Sequence, residues 1–189
     1  MERLAQLDIE AFRWINGHHS AALDWVMWAV SQHWAWAVVL AAMFALVVLR
    51  HDSRRWWLVA IGFVLCFLLA DQGSVHLFKE QFHRLRPCHA LEDVRMFHTR
   101  CGGLYGFVSS HAANAFAIAV FMAARYRRLP AAGWLALLWA ATTSYSRAYL
   151  GKHYPGDLLC GALFGAAIGL IVCWLTATAE KKAFKTGTK

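Results

Sequence analysis

Charged residues are scarce in this chain, and their scarcity argues against an ordinary soluble domain. Only 16% of the 189 residues are Asp, Glu, Lys or Arg, whereas soluble domains carry about 25%. The mean hydropathy is +0.40, and 59% of the residues are hydrophobic. Because the apolar residues come in blocks that leave almost no polar face for a soluble helix, the composition favours a single-domain integral membrane protein.

Polar side chains are also missing from several long stretches, which are the candidate spans. A helix crosses a bilayer with about 20 mostly apolar residues, and some blocks reach that length only with their flanks. Residues 21–30 form either a short sixth span or the first half of a long bent helix. The predicted fold class is an all-α polytopic membrane helix bundle of five to six transmembrane helices with an N-terminal amphipathic helix. The five main spans are expected near residues 34–49, 56–78, 111–125, 130–146 and 157–178.

The start of the chain lacks the compact apolar region of a cleavable signal peptide. Instead, Leu4, Leu7 and Ala11 fall on one side of a helix, which either lies in the membrane interface or packs against the bundle. We expect one membrane domain over residues 1–189. Its parts are an interfacial helix at 1–20, a transmembrane bundle at 21–178 and a basic cytoplasmic tail at 179–189.

Basic residues mark one side of the expected topology. Short basic loops stay in the cytoplasm, so the alternate loops face the periplasm or cell exterior of a bacterial inner (cytoplasmic) membrane. The net charge of +8 is divided between these anchors and the outward loops, which leaves no basic stripe for nucleic acid. The anchors are Arg50, Arg54, Arg55, Arg125, Arg127 and Arg128, with the lysines of the tail.

Three short stretches combine cations, histidines and a carboxylate on the outward side. They read Lys79-x6-Arg86-Pro87, Ser109-Ser110-His111 and Ser146-Arg147-x5-His153-x3-Asp157. Cations in or beside a membrane are costly, so their default interpretation is functional. Together the three stretches predict a site that grips a phosphate and transfers it.

Five residues are predicted to bind the phosphate: Lys79, Arg86, Ser109, Ser110 and Arg147. Arginine offers a planar fork of donors and lysine a compact charge. Lys79 and Arg86 are two helical turns apart and can share one face. Ser109 or Ser110 is expected to cap the next helix, whose free N–H groups bind anions.

His153, His111 and Asp157 are predicted to carry the reaction. Asp157 lies four residues after His153 and can accept the proton of one imidazole nitrogen, which leaves the other nitrogen free to attack. His111 then remains to protonate the departing oxygen. Three cations can hold the developing charge, so neither a metal nor a cofactor is expected.

The arrangement resembles the type 2 phosphatidic acid phosphatase family of integral membrane lipid phosphatases. Its motifs extend over 79 residues and fill every charged and histidine position at the family's spacing. One departure exists, because Val108 and Ser110 stand where the family usually has Pro and Gly. The resemblance implies a metal-independent enzyme of typically six spans, in which His153 forms a phosphohistidine, Asp157 orients it and His111 is the general acid.

The resemblance implies a phosphorylated lipid as substrate. Candidates are undecaprenyl diphosphate, lipid A phosphates, phosphatidylglycerol phosphate and phosphatidic acid, and the outward orientation favours the first two. A lipid phosphotransferase would use the same residues. Less favoured alternatives are a vanadate-dependent haloperoxidase, which would hold vanadate permanently, and a non-enzymatic anion transporter, which would need polar residues deep in several spans.

Two further patterns concern bracing and assembly. Cys88 and Cys101 can form a disulfide in an oxidising compartment, and two free thiols are the alternative. Gly161, Gly165 and Gly169 form a ridge that lets another helix approach closely. Packing within the chain and dimerisation through this ridge both stay open, and so does the oligomeric state.

Overall fold

Helices make up most of the part of the chain that the computed structural model describes, and the longest stretch without helix in that part is residues 91–109. That part comprises residues 2–45 and 55–185, with side chains to 182. The end of the expected 34–49 span, the anchors Arg50 and Arg54 and residues 186–189 lie outside it. The helices are α1 Glu2–Gly17, α2 Ala21–Val30, α3 His33–Met43, α4 Trp56–Ser74, α5 Glu80–Phe82, α6 Pro87–Ala90, α7 Ser110–Arg125, α8 Pro130–Tyr149 and α9 Pro155–Lys185.

Two described helices are long and apolar enough to cross a membrane. They are Trp56–Phe82, where a π-helical turn at Val75–Lys79 continues α4 into α5, and Pro155–Lys182. Helices α2 and α3 bend by 64° at Ser31 and Gln32 and give a third span if they count as one. The break falls where the sequence suggested it, but both alternatives for residues 21–30 stay open, and the expected total of five or six spans stays a prediction.

Helix α7 lies at the centre and packs against α4, α8 and α9. Its buried face is largely alanine, and the ridge of α9 lies against it. A Cβ atom placed on Gly161, Gly165 or Gly169 would lie 2.6, 2.1 or 2.4 Å from a carbonyl oxygen of α7 or its N-cap. The ridge is thus covered within the chain, and a dimer formed through it stays an untested prediction.

Helix α1 packs on the bundle with one face only. Phe12 is 2% exposed and meets the ring of Tyr154 edge-on at 5.5 Å. Leu4, Leu7 and Trp14 remain exposed. The described helix thus combines the two expected arrangements: one face is packed, and an apolar face is left uncovered, as an interfacial helix requires.

The basic loops meet at the end of the bundle opposite to the motif stretches. Arg125 Nη1 donates to Glu180 Oε2 of α9 at 2.6 Å, and Arg55 donates to the other oxygen of the same carboxylate. The start of α4, the end of α7 and the end of α9 are therefore joined there. The opposite ends of the same helices carry Lys79, His111 and Asp157.

Candidate active site

The three motif stretches meet around a cavity of about 620 Å³. Elements α3, α4 and α7 form its walls, and the loops before α6 and α9 form its rim. Five cationic side chains line the cavity, whereas Asp71 is the one carboxylate among its described lining residues. The polar lining includes Lys79, Arg86, Arg100, Arg147, Lys152, Ser110, His111 and His153.

Lys79 enters the cavity from the π-helical turn that follows α4. Its Nζ donates to the Ser110 hydroxyl at 2.5 Å, and Ser74 contacts the same hydroxyl at 2.6 Å. Ser110 stands in the place where the family usually has Gly, and its hydroxyl holds the ammonium group of Lys79 at the start of α7.

Ser109 caps α7 and does not line the cavity. Its hydroxyl accepts from the Ala112 N–H at 3.4 Å, and its own N–H donates to the Asp157 carbonyl at 3.1 Å. Ser109 is fully buried. The structure therefore brings Ser110, and not the Ser109 side chain, to the cavity wall, while Ser109 ties α7 to the start of α9.

Arg147 lies in the last turn of α8 and is only 6% exposed. Its carbonyl accepts from the N–H groups of Lys152 and His153 at 2.9 and 3.3 Å, which folds the following loop back towards the cavity. Among the described residues, its buried Nε has no hydrogen-bond partner. A buried guanidinium is costly without an acceptor, so the cavity wall is suited to an anion.

His153 and Asp157 form the predicted pair, and Arg86 fixes the imidazole tautomer. Arg86 Nη1 lies 2.7 Å from His153 Nε2. A guanidinium only donates, so Nε2 accepts and the proton sits on Nδ1. Nδ1 faces Asp157 Oδ2 at 3.5 Å, too long for a good hydrogen bond. Such catalytic contacts are often long before substrate binds.

Burial sets the charge state of His153. The side chain is 1% exposed, and burial lowers its pKa well below the usual value, helped by the neighbouring cations Arg86 and Arg147. The imidazole is therefore neutral at physiological pH and keeps a lone pair on Nε2. That is the state in which histidine acts as a nucleophile.

Arg84 and Asp8 belong to the site, although the motifs do not contain them. Arg84 Nη1 donates to Asp157 Oδ1 at 2.8 Å, and its Nη2 donates to Asp8 Oδ2 at 2.7 Å. The one signal for Arg84 in the sequence was its place two residues before the motif residue Arg86. In the structure Leu85 pairs with Tyr105 in an isolated bridge, and in extended backbone the two neighbours of a residue share the opposite face, so Arg84 and Arg86 both reach the His153–Asp157 pair.

Lys152 is a further site residue that the motif analysis left out. It lines the cavity beside Arg147 and His153. Burial lowers its pKa to about 8, with a further contribution from Arg147 and Arg86. Its position immediately before the motif histidine was the signal.

The cavity has an apolar arm and a polar neighbour. The arm runs between α3 and α4 along Trp36, Leu40 and Phe67. A second, polar cavity of about 530 Å³ adjoins the first, shares His33, Arg100, His111, Arg147 and Lys152 with it, and is otherwise lined by Ser31, Gln32, His98 and Thr99. Within the described residues, no cluster of His, Cys, Asp and Glu is arranged to hold a metal ion.

A helical bundle with spans long enough for a bilayer and a cationic cavity around a His–Asp pair defines a membrane protein that handles phosphate. The family comparison is more specific: residues 67–181 match the model of the PAP2 superfamily, and the chain belongs to that superfamily. The predicted resemblance to type 2 phosphatidic acid phosphatases is thereby confirmed.

Curated relatives and solved structures agree with this family. The chain is 34% identical to a lipid A 4'-phosphatase of Bacteroides thetaiotaomicron, covering 87% of this chain and 75% of that protein. It is 27% identical to the undecaprenyl-diphosphatase BcrC of Bacillus subtilis over 87% and 82%. The fold matches a transmembrane PAP2-type phosphatidylglycerolphosphate phosphatase of Bacillus subtilis with a TM-score of 0.68 at 20% identity, covering all of this chain and 89% of that one.

Proposed function

We propose that this protein hydrolyses a lipid phosphate through a phosphohistidine on His153. The observation that carries the proposal is the buried guanidinium of Arg147, whose Nε has no partner among the described residues. It faces a cavity whose five cationic side chains meet one described carboxylate. Membership of the PAP2 superfamily and relatives that are lipid phosphatases support the same reaction.

In the first step the phosphate displaces Arg86 from His153 Nε2. Phosphate oxygens are stronger acceptors for a guanidinium than a neutral imidazole is, so Arg86, Arg147 and Lys79 bind the phosphate and the Nε2 lone pair becomes free. Nε2 then forms a bond to phosphorus while the bond from phosphorus to the lipid oxygen breaks. His111 gives its proton to that oxygen.

In the second step water attacks the phosphohistidine. The P–N bond breaks, its electron pair returns to Nε2, and His111 takes a proton from the water. In both steps Asp157 faces the Nδ1–H group of His153 as its hydrogen-bond acceptor. Its negative charge stabilises the positive imidazole that carries the phosphoryl group. The cations stabilise the charge that develops on the phosphoryl oxygens, and no step requires a metal.

The cavity suits a substrate with a phosphate and an apolar tail, and it has room for a larger polar group beside the phosphate. The apolar arm along Trp36, Leu40 and Phe67 suits an acyl or prenyl chain, and the adjoining polar cavity offers space for a sugar or a second phosphate. Undecaprenyl diphosphate and lipid A phosphate both meet this description. Relatives named for each of them are similar over most of this chain.

We place the protein as one multi-pass domain of five to six spans in the bacterial inner membrane. Arg55 and Arg125 lie at the opposite end from the cavity, and short basic loops favour the cytoplasm, which turns the cavity towards the periplasm or the cell exterior. Cys88 and Cys101 form a disulfide with Cα atoms 5.9 Å apart, which suits an oxidising compartment on that side.

The test is phosphate release by purified protein in chelator from four lipids: undecaprenyl diphosphate, lipid A, phosphatidylglycerol phosphate and phosphatidic acid. We expect release from the first or second, no turnover in His153→Ala and a trace in Asp157→Asn. The exposed His18 gives the matched control His18→Ala, which should behave as wild type. Wild-type rates in His153→Ala would contradict the mechanism, and phosphorylated lipid in place of free phosphate would indicate a transferase.

A further inference from the structure

We infer that Asp8 and Arg84 are positioning residues for the His153–Asp157 pair, so that the N-terminal helix is a working part of the active site. The inference rests on the proposed function, because it concerns how the nucleophile of that reaction is held. Its observation is a continuous chain of charged hydrogen bonds from α1 through Arg84 to the buried carboxylate.

Arg84 divides its guanidinium between two carboxylates. Nη1 donates to Asp157 Oδ1 at 2.8 Å and Nη2 donates to Asp8 Oδ2 at 2.7 Å. The guanidinium carbon lies 4.2 Å from the centre of the Tyr154 ring, which packs against its face. Two hydrogen bonds and the ring packed on its face therefore fix the orientation of the Arg84 guanidinium. The guanidinium cannot rotate towards one carboxylate without losing its hydrogen bond to the other.

Asp8 holds Arg84 from one side and the start of α9 from the other. Its Oδ1 accepts from the Gly156 N–H at 2.7 Å, and an anion is stabilised at the first turn of a helix. A Cβ on Gly156 would lie 2.8 Å from Asp8 Oδ2, so the chain leaves just enough room there for the carboxylate. Since Asp157 follows Gly156 directly, Asp8 positions the backbone that carries the orienting carboxylate.

The chain decides which oxygen of Asp157 faces the histidine. Arg84 occupies Oδ1, while Oδ2 accepts from the Tyr154 N–H at 3.0 Å and faces His153 Nδ1 at 3.5 Å. Asp157 is fully buried, and a buried carboxylate stays ionised only with a partner. Arg84 thus supplies the charge that keeps Asp157 an acceptor and the hydrogen bond that turns Oδ2 to the imidazole.

A purely structural role for Asp8, as a cap for α9, makes different predictions from a positioning role. A cap affects melting, whereas a positioning residue changes kcat and the pH dependence of the reaction. Removing the charge of Arg84 makes Asp157 easier to protonate, so the acidic limb of kcat/KM should move to higher pH. The groups that face Asp157 are Arg84, Arg86, Lys79, Asp8, His153, Tyr154 and Cys160.

The experiment compares Asp8→Asn, Arg84→Gln and Arg84→Lys with Arg13→Gln in the full-length protein. Arg13 is the matched control, because it joins α1 to Asp93 at 3.0 Å in an exposed ion pair away from the cavity. We expect a 10- to 100-fold loss of kcat in Asp8→Asn and Arg84→Gln, as for a misplacement of about 1 Å, with KM little changed in both and the acidic limb shifted upwards in Arg84→Gln, which removes the positive charge beside Asp157. Arg84→Lys should recover part of the loss, and Arg13→Gln should match wild type.

Each outcome decides the question. Wild-type kcat and pH profile in Asp8→Asn and Arg84→Gln, with His153→Ala inactive, would overturn the positioning role and leave the proposed function standing. Lower melting of Asp8→Asn with an unchanged kcat would reduce Asp8 to a helix cap. If Arg84→Gln fails to fold, the milder Asp8→Asn decides alone. Turnover in His153→Ala would remove the proposed function and this inference together.

Discussion

Helices α7 and α9 pack along their length, and we expect a substitution in this contact to have different effects at its two ends. Near the cavity it should reduce both activity and stability, whereas at the far end it should reduce stability alone. Gly161 lies against Ser109, whose N–H donates to the Asp157 carbonyl at 3.1 Å. A Cβ in Gly161→Ala would lie 2.6 Å from the Ser109 carbonyl oxygen, about 0.8 Å short of the 3.4 Å at which ordinary contacts begin. A carbonyl in the main chain cannot rotate away as a side chain can, so the helices must separate.

The magnitude follows from that separation. Overpacking of a core contact costs about 1–3 kcal/mol, and each kcal/mol lowers Tm by about 2–4 °C for a protein of this size. A displacement approaching 1 Å at the reacting groups costs roughly 10- to 100-fold in rate. Gly161→Ala should therefore lower both Tm and kcat/KM. Ser109 lies two residues before His111 in the chain and donates its N–H to the Asp157 carbonyl, so a displacement of Ser109 moves both residues.

Gly169→Ala is the matched comparison. Its Cβ would lie 2.4 Å from the Ala117 carbonyl oxygen, an even closer contact, but it sits about 12 Å further along α9 at 1.5 Å per residue. We expect a comparable loss of Tm with kcat/KM nearly retained. Gly17→Ala, where nothing lies within 4 Å of the new Cβ, should change neither quantity by steric contact.

The assay is phosphate release from the preferred lipid in detergent micelles, with thermal melting of the same samples. Equal losses of kcat/KM in Gly161→Ala and Gly169→Ala would refute the claim that the site end is special. Full activity in a destabilised Gly161→Ala would show that the Ser109–Asp157 contact does not position the reacting groups.

Three further results are expected. The pKa of Lys152 is lowered to about 8, so its positive charge is present below that pH and lost above it. We therefore expect kcat/KM to fall above pH 8, and Lys152→Arg should move this alkaline limb to higher pH. An unchanged pH profile in the variant would contradict a role for the charge of Lys152. Orthovanadate should inhibit competitively and chelators should not, because vanadate can occupy the cationic cavity and the mechanism uses no metal; strict dependence on an added divalent ion would sink it. Reducing the Cys88–Cys101 disulfide should cost about 3 kcal/mol, measured by melting with and without reductant, and identical melting curves would count against a stabilising bond.

Much of the site could be predicted because the spacing of its residues along the chain decides which end of the helix bundle each residue occupies. The alternation of apolar blocks and charged loops brings Lys79, Arg86, Arg147 and His153 to one end, and the cavity contains all four. The family resemblance, confirmed by the match over residues 67–181, depends on the same spacing. The choice between Ser109 and Ser110 was harder, because capping geometry decides which hydroxyl turns into the helix and which turns to the cavity.

Length and hydropathy alone do not mark the expected spans at residues 111–125 and 130–146, and the burial of these helices explains why. Helix α7 is enclosed by α4, α8 and α9, so its small alanine side chains are selected for close packing and not for contact with lipid. Helix α8 ends in Thr143, Ser144, Ser146 and Arg147, all buried against the rest of the chain. Neither helix therefore has the long apolar profile that marks a lipid-facing span, although α4 and α9 do.

The contacts that escaped prediction are those between distant parts of the chain, and they explain how the cavity keeps its charge. The proposed mechanism needs Asp157 beside His153, yet a carboxylate without its own partner there would draw Arg86 away from the phosphate. Arg84 forms an ion pair with Asp157 at 2.8 Å, and Asp8 balances the charge of Arg84 at 2.7 Å. The charge of Asp157 is therefore neutralised without any of the cations that line the cavity. Arg84 is 76 residues from Asp8 and 73 from Asp157, and no local pattern could reveal that a helix at the start of the chain returns to this point. In the proposed mechanism the motifs supply the groups that react, and the packing of α1 leaves the remaining cations available for the phosphate.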